Sequence, residues 1–230
     1  VLACGTERGN EVLAHAAAAL DAPFVANCLR VEQGEPWNMT RVQWGGSLNE
    51  LARLDAEIAV LSVAHHTIEP VEVHEPVSLT VTALDVALDE GGARTMIADR
   101  VERADGVTLA TAPVVVGGGR GVGSAEGFEV LEALAAALGG VVGCSRAVTN
   151  NGWRPHSDQV GQTGTRIAPQ LYIACGISGA IQHWVGAKAA KQILAINTDP
   201  DANMVTKADY AIIGDLFEVV PAITEALGRT

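Results

Sequence analysis

The chain has 230 residues, of which 48% are hydrophobic and 18% charged, so it can build a sizeable core and bulk disorder is disfavoured. Its formal net charge of −12 argues against a surface for nucleic acid or for an anionic membrane, because neither attracts an acidic protein. Aromatic residues make up 4%, so the core must come from Ala, Val, Ile and Leu, which suits helices packed on a parallel sheet. No run reaches the roughly 18 apolar residues of a membrane-spanning helix, so we expect no direct membrane insertion.

The first half of the chain reads as strands around one alanine-rich helix. The predicted helix begins near Gly9 and Asn10 and ends before Pro23. A polar segment over about 89–112 is predicted to connect to a second unit. The chain opens inside a strand–turn–helix unit without an initiator Met, so we expect an upstream part of the first domain to be missing. The predicted strands are VLACG (1–5), PFVANCLRVE (23–32), EIAVLSVAHHT (57–67) and SLTVTALDVAL (78–88).

The second half alternates strands with helices, which predicts a parallel sheet with right-handed crossovers. In AEGFEVLEALAAALGG (125–140), five apolar residues share one helical face: Phe128, Leu131, Leu134, Ala135 and Leu138. The other predicted elements are the strands 113–117, 141–146, 171–176, 192–197 and 208–215 and the helices 178–188 and 216–227.

The glycine-rich turn GGGRGVGS (117–124) lies between a predicted strand and a predicted helix. Such a turn lets the backbone approach a phosphate, although tight strand–helix packing also explains some glycine runs. A dinucleotide site for NAD requires an acid at the end of the following strand. Ser145 and Arg146 stand there instead, so an NAD site is disfavoured, whereas an Arg that meets a 2′-phosphate leaves an NADP site open.

Other strand ends are also polar. Gly176, Ser178 and Gly179 precede a predicted helix and form a second turn suited to an anion. Asn197 and Asp215 close two further strands and could bond a ribose or an adenine, or could equally form a turn or a helix cap. Because ligands of parallel sheets lie at the carboxyl ends of the strands, these positions together favour a long ligand with phosphate and sugar parts.

The sequence contains no recognisable catalytic or metal-binding motif. HExxH and CxxC spacings are missing, and His183 has no nucleophile and acid around it in a known pattern. The four cysteines, Cys4, Cys28, Cys144 and Cys175, are far apart in sequence, and we expect buried free thiols rather than a disulfide or a metal site.

Several segments together resemble the alpha subunit of electron transfer flavoprotein. They are VVVGGGRG, GCSRAV, QVGQTG, LYIACGISGAIQH, INTDPDA and ADYAIIGDLFEVVP, and they follow the order of that family over about 113–230. RGNEVLAHAAAAL and RVQWGGSL are similar to the family's first domain, more loosely. The resemblance implies two α/β domains, a partial N-terminal one over 1–112 and a C-terminal parallel-sheet, Rossmann-like FAD-binding domain over 113–230.

The resemblance also implies a function. The family binds FAD non-covalently, pairs with a beta subunit that commonly holds AMP, takes electrons from acyl-CoA and similar dehydrogenases in fatty acid oxidation, and passes them to a membrane quinone oxidoreductase. It is an electron carrier and not an enzyme with its own substrate. The implied compartment is the cytoplasm of a bacterium, or the mitochondrial matrix in a eukaryote.

Site residues are carried over from the same resemblance. Arg146, Thr163 and His183 would tune the potential by stabilising an anionic semiquinone, with Thr163 near flavin N5 and His183 near the C2 carbonyl. The implied FAD-binding residues are Arg120, Ser145, Arg146, Gln159, Val160, Gly161, Gln162, Thr163, Ser178, Gly179, Ala180, Ile181, Gln182, His183, Asn197, Asp215 and Leu216.

Three alternatives stay open. One is a flavin-based bifurcating variant, in which a second flavin replaces AMP in the partner. Another is an NADP-binding oxidoreductase that uses Arg146 for the 2′-phosphate. The third is a nucleotide-binding module without redox function, which would have no need of Arg146, Thr163 and His183.

Overall fold

The structure is a computed structural model that describes residues 1–69, 71–72, 78, 80–86 and 106–228. The chain divides into two compact units. The larger unit comprises Val1–Ile68 and Val107–Thr230 and contains every strand and helix given below. The smaller unit, Glu69–Gly106, has no regular secondary structure at its described residues.

The first sheet of the larger unit is mixed. Its elements are β1 (Leu2–Cys4), α1 (Glu7–Ala19), β2 (Phe24–Glu32), β3 (Trp37–Gln43), β4 (Leu48–Leu54) and β5 (Val60–Val63). The strand order is β1-β5-β2-β3-β4. The pairs β1–β5 and β2–β5 are parallel, whereas β2–β3 and β3–β4 are antiparallel.

Helix α1 begins earlier than the sequence predicted. The hydroxyl of Thr6 accepts a hydrogen bond of 2.9 Å from the backbone N–H of Gly9, so Thr6 is the N-cap and Gly9 lies in the first turn. Leu13 and Ala17 are buried and pack with Val60 of β5. The helix therefore exists as predicted and begins about two residues before the expected start, because Thr6 caps it there.

The hairpin formed by β3 and β4 was not predicted from the sequence. Its register runs from Trp37 opposite Leu54 to Gln43 opposite Leu48. The chain reverses at Trp44–Gly46, where all three residues have positive φ angles. Most of β4 is exposed, so it lacks the apolar alternation that reveals a half-buried strand.

The second sheet is wholly parallel, as predicted, with the order β10-β9-β8-β6-β7. Its elements are β6 (Val114–Gly118), α2 (Glu129–Ala137), β7 (Val141–Cys144), α3 (Arg146–Asn150), β8 (Leu171–Cys175), α4 (Ile181–Ala187), β9 (Gln192–Asn197), α5 (Asn203–Lys207), β10 (Tyr210–Ile213) and α6 (Leu216–Leu227). The chain places β7 on one side of β6 and then crosses to place β8 on the other. Such a reversal opens a crevice at the carboxyl ends of the strands.

Two apolar clusters pack within this part of the chain. One joins β6, β7 and β8 to α2. Leu131, Leu134 and Ala135 of α2 are buried in it with the N-cap Phe128, and the C-cap Leu138 is partly buried, which confirms the predicted apolar face. The other is built around Tyr172, Ile167 and Ile193. The core thus consists largely of aliphatic side chains, as the composition requires.

Three further expectations differ from the structure. The strand predicted over 78–88 is absent at 78 and 80–86, and its other residues lie outside the described ranges, as does most of the connection at 89–112. Helix α4 covers 181–187 rather than 178–188, because Ser178–Ala180 is not helical: Gly179 has a φ of 76° and Ala180 has a ψ of 149°. Cys28, Cys144 and Cys175 are buried free thiols, but Cys4 is exposed, so its predicted burial was wrong.

Of the helices described, none has both the length and the apolar character needed to cross a membrane.

Candidate functional site

A cleft of about 900 Å³ lies at the carboxyl edge of the second sheet, where the strand order reverses. It falls within the usual size range for a site that holds a small molecule or a cofactor. The predicted site residues that line it are Arg120, Ser145, Arg146, Ser178, Gly179, Ala180, Gln182, His183, Asn197, Asp215 and Leu216.

The remaining predicted site residues do not line this cleft. They are Gln159, Val160, Gly161, Gln162, Thr163 and Ile181. Gln159 and Val160 are each 1% exposed, so their side chains are buried in the protein interior. Gln162 and Thr163 are exposed, and Ile181 is 52% exposed at the first turn of α4. Their ligand roles stay predictions.

Glycines let two loops approach each other at the base of the cleft. A Cβ atom at Gly119 would lie 2.7 Å from the carbonyl carbon of Gly176, and one at Gly121 would lie 2.8 Å from the Cα atom of Gly176. The backbone N–H of Gly121 donates to the carbonyl of Gly176 over 3.1 Å. Side chains at these positions would force apart the loops that follow β6 and β8, so the glycine-rich turn has a packing role as well as keeping the cleft open.

The cleft contains positively charged side chains and backbone N–H donors that are not paired with an anionic group of the described residues. Arg120 and Arg146 are exposed, and within the described part of the chain neither guanidinium has an ion-pair or hydrogen-bond partner. The backbone N–H groups of Ser178 and Gly179 likewise make no hydrogen bond with a described residue. Ser145 precedes α3 without using its hydroxyl as a cap. Free donors and guanidinium groups that converge on one cleft form a site for a phosphate-containing anion.

Asn197 and Asp215 have structural roles as well as lining the cleft. The amide of Asn197 donates to the carbonyl of Ile177 over 3.1 Å, and its Oδ1 accepts from the N–H of Asp199 over 3.1 Å. Asp215 is the N-cap of α6 and accepts from the N–H of Phe217 over 2.9 Å. The turn and cap roles left open by the sequence are thus present at both positions.

The segment 159–167 packs against α4. The N–H of Gln162 donates to the carbonyl of Gln182 over 2.8 Å, and that of Ile167 donates to the carbonyl of Gly186 over 2.8 Å. Gly161 has a φ of 147° and Gly186 has no side chain, which permits close contact between the two backbones. The position of Thr163 therefore depends on α4, the helix that carries His183.

His183 has one ring nitrogen with a partner and one without. Its Nε2 atom lies 2.8 Å from the hydroxyl of Tyr172. Its Nδ1 atom is buried and has no hydrogen-bond partner among the residues that the structure describes. Burial lowers the pKa of His183 to about 4, and a weak interaction with the backbone of Val160, which lacks the geometry of a hydrogen bond, opposes this shift in part. The ring is therefore neutral at physiological pH, with one nitrogen still available to a ligand.

Sequence reasoning missed four polar or aromatic residues that line the cleft: Asn150, Thr198, Asp199 and Phe217. Thr198 and Asp199 directly follow the strand end at Asn197. They were predictable, because ligands of parallel sheets bind at the carboxyl ends of the strands. Asn150 lies at the end of α3, and only packing brings it to the cleft. No group of three or more metal-ligating side chains occurs within the described ranges.

These features define a class of protein. A parallel sheet with a reversal of strand order, and a cleft at its carboxyl edge that offers free guanidinium and amide donors, form a domain that binds a nucleotide-containing cofactor. Comparison with known families makes the class more specific. Residues 1–89 match the electron transfer flavoprotein domain, and residues 108–188 match the electron transfer flavoprotein FAD-binding domain.

Individual relatives agree with these matches. The chain is 40% identical over 222 residues to the electron transfer flavoprotein subunit alpha of Bacillus subtilis (strain 168), covering 96% of this chain and 68% of the relative. It is 40% identical over 230 residues to the protein of the same name from Mycobacterium tuberculosis, covering 99% and 70%. The Paracoccus denitrificans protein is 49% identical over 152 residues, covering 66% of this chain and 48% of the relative. The chain belongs to the electron transfer flavoprotein alpha-subunit family.

Proposed function

We propose that this chain is the FAD-binding subunit of a heterodimeric electron carrier. Its partner is an electron transfer flavoprotein beta subunit that holds AMP. The complex accepts electrons from acyl-CoA or similar dehydrogenases and delivers them to a membrane quinone oxidoreductase, without substrate turnover of its own. Membership of the family and the match of residues 108–188 to its FAD-binding domain support the proposal.

The observation that carries the proposal is the set of unsatisfied groups in one cleft. Arg120, Arg146 and the N–H groups of Ser178 and Gly179 would hold the pyrophosphate of FAD. The buried Nδ1 atom of His183 lacks a partner, as expected of a group that bonds to a cofactor. The described residues therefore fit FAD.

When bound, FAD would supply the redox chemistry, with negative charge appearing at the pyrimidine end of its ring on reduction. Three side chains of this chain would stabilise that charge and so tune the potential. Arg146 contributes a positive charge and His183 a donor in a buried environment. The Thr163 hydroxyl accepts a hydrogen bond from Gln159, so its proton is free to be donated.

The names of two relatives support the proposed compartment. Proteins of this name occur in bacteria such as Bacillus subtilis, and the rice relative is named as mitochondrial. We place this protein in the cytoplasm of a bacterium, or in the mitochondrial matrix if its source is eukaryotic.

The test is cofactor titration of the protein co-expressed with its beta subunit. We expect one FAD per heterodimer, a visible flavin spectrum, and reduction by an acyl-CoA dehydrogenase with its substrate. Binding of NADP⁺ in preference to FAD would overturn the proposal in favour of a pyridine-nucleotide oxidoreductase. A second flavin bound in place of AMP would identify the bifurcating variant.

A variant at His183 tests the tuning role separately from binding. His183→Ala should retain FAD, because the guanidinium and amide donors remain, and should lower the potential for uptake of the first electron. The exposed His15 offers a matched control, since His15→Ala should change neither property. An unchanged potential in His183→Ala would remove the role proposed for that ring.

A further inference from the structure

Tyr172 and His183 form a buried polar pair on two different elements. Tyr172 lies on β8 and is 0% exposed, and His183 lies on α4 and is 6% exposed. The Tyr172 hydroxyl and Nε2 of His183 are 2.8 Å apart, and the two rings are tilted by 31°. Within the described part of the chain, His183 is the hydrogen-bond partner of the Tyr172 hydroxyl, and no second partner is found for it.

The hydrogen-bonding capacity of the pair indicates which atom donates. If Nε2–H donated to Tyr172, the tyrosine O–H would be a buried donor without an acceptor, and Nδ1 would be a buried acceptor without a donor. If Tyr172 donates to Nε2, only Nδ1–H is left, and a ligand in the cleft can satisfy it. Because each buried unpaired polar group costs free energy, the second arrangement, which leaves one such group instead of two, is preferred.

Burial supports the same arrangement. It raises the pKa of the Tyr172 hydroxyl well above its ordinary value, so the proton stays on that oxygen. Burial lowers the pKa of His183 to about 4, so Nε2 is free to accept. Neither group gains a charge near pH 7.

Gly117 makes room for this tyrosine. A Cβ atom at Gly117, on the neighbouring strand β6, would lie 2.7 Å from Cε2 of Tyr172 and 2.9 Å from its Cζ atom. The ring therefore lies directly over a glycine in the middle of the sheet. Any larger residue at this position would push the hydroxyl away from Nε2.

We propose that Tyr172 is a positioning residue: it donates to Nε2 of His183, keeps the imidazole proton on Nδ1, and so presents a neutral N–H donor to the cofactor cleft. The ligand for this donor is a carbonyl or an anionic acceptor on the ring system of the cofactor. The inference about FAD rests on the proposed function. The tautomer itself is a property of this chain and can be measured without the cofactor.

The first experiment is ¹⁵N NMR of histidine side chains in the assembled protein, freed of flavin, at pH 7. The chain has six histidines, and the signals of His183 are those lost in His183→Gln. We expect His183 to be neutral with its proton on Nδ1. A proton on Nε2 in the unsubstituted protein would overturn the proposal without any need for a tyrosine variant.

The second experiment compares Tyr172→Phe with Tyr210→Phe. Tyr210 is 60% exposed on the edge strand β10, and the chain has two tyrosines, so it is the matched control. We expect Tyr172→Phe to lose the pure Nδ1–H signature, with Nε2–H appearing, and Tyr210→Phe to keep it. Retention of the pure signature in Tyr172→Phe would show that another group sets the tautomer, and would overturn the role of Tyr172.

A measurement on the FAD-loaded heterodimer separates this inference from the proposed function. There, Tyr172→Phe should lower the potential for the first electron, and Tyr210→Phe should leave it unchanged. If the unsubstituted protein takes up no FAD, the proposed function fails while the NMR result still decides the role of Tyr172. If FAD binds and the potential of Tyr172→Phe is unchanged, the link between this tyrosine and the cofactor fails while the proposed function stands.

Discussion

Gln159 and Thr163 are joined by a hydrogen bond of 2.9 Å in which the buried amide of Gln159 donates to the exposed hydroxyl of Thr163. The other end of the same side chain, Oε1, accepts from the hydroxyl of Thr149 over 2.9 Å. Gln159 is 1% exposed, so both of its polar ends are satisfied inside the protein. Gln159 therefore helps to orient Thr163, and its contact with the cofactor, which the sequence resemblance implies, stays a prediction.

Gln159→Leu should destabilise the protein and release the Thr163 hydroxyl. Removal of one partner from a buried hydrogen bond costs about 1–3 kcal/mol, here in the free energy of unfolding measured with denaturant. Gln170 is exposed, and Gln170→Leu is the control, with an expected change within about 0.5 kcal/mol. Equal stability of the two variants would contradict the role of Gln159.

Gly186→Ala should disturb the contact between α4 and the segment 159–167. A Cβ atom at Gly186 would lie 2.7 Å from the carbonyl carbon of Gly161, and neither backbone can yield freely. Overpacking of this kind costs about 1–3 kcal/mol. Gly228→Ala is the control because its Cβ contacts would be 3.7 Å or longer. Thermal unfolding of both variants measures the difference, and an unshifted melting temperature in Gly186→Ala would disprove the clash.

Arg120→Gln and Arg146→Gln should each weaken FAD binding. A charge-assisted hydrogen bond to phosphate contributes about 1.5–3 kcal/mol, which corresponds to a roughly 10- to 100-fold rise in Kd. FAD titration of the flavin-free heterodimer measures it. Arg8 is exposed on α1 and does not line the cleft, so Arg8→Gln should keep the affinity of the unsubstituted protein. Equal losses in all three variants would indicate a general charge effect instead of two specific contacts.

The flavin-free protein should lose stability in acid through His183. The unfolded chain holds this ring at an ordinary pKa of about 6.5, whereas burial lowers its pKa to about 4 in the folded chain. Between these values the unfolded state binds a proton that the folded state does not. The contribution of His183 to the free energy of unfolding is therefore complete above pH 6.5, and it falls by about 3 kcal/mol as the pH is lowered towards 4. Its partner Tyr172 stays neutral, because burial raises the pKa of the phenol.

Denaturant unfolding at several pH values tests this expectation. His183→Gln should show a weaker loss of stability on acidification than the unsubstituted protein. His15→Gln, at an exposed position, should follow the unsubstituted protein, since carboxylates titrate alike in both. Identical pH profiles for the unsubstituted protein and His183→Gln would show that the ring is not desolvated.

Thiol reactivity should differ sharply among the four cysteines. Burial raises the pKa of Cys144 to about 12, an effect that Asp158 reinforces, and it raises the pKa of Cys175 to about 12. Burial also raises the pKa of Cys28, while Cys4 is exposed. A thiol-specific reagent at pH 8 should therefore modify Cys4 quickly and the others slowly, because the thiolate is the reactive form. Cys4→Ser should abolish the fast phase, and a fast phase that persists would contradict the assigned burial.

Local sequence pattern was sufficient to predict some features of this fold. The apolar face of α2 was predictable because helical periodicity puts Phe128, Leu131 and Leu134 on one side whatever they pack against. Glycines and polar residues at the ends of β6, β7, β8 and β9 indicated the cleft, because parallel strands end at one edge of a sheet. The hairpin β3–β4 gave a weaker signal: its turn contains Gly45 and Gly46, but its exposed outer strand lacks the apolar alternation of a half-buried strand.

The sequence by itself determined the alternation of strands and helices, the aliphatic core, and the family, since each follows from the order of neighbouring residues. Only the tertiary structure decided how the polar side chains are used. It buried Gln159 between two threonines, turned Asp215 into a helix cap, and brought Tyr172 of β8 against His183 of α4. The physical reason is that hydrogen-bond partners and desolvation depend on which elements pack together, and neither is written in the spacing of residues along the chain.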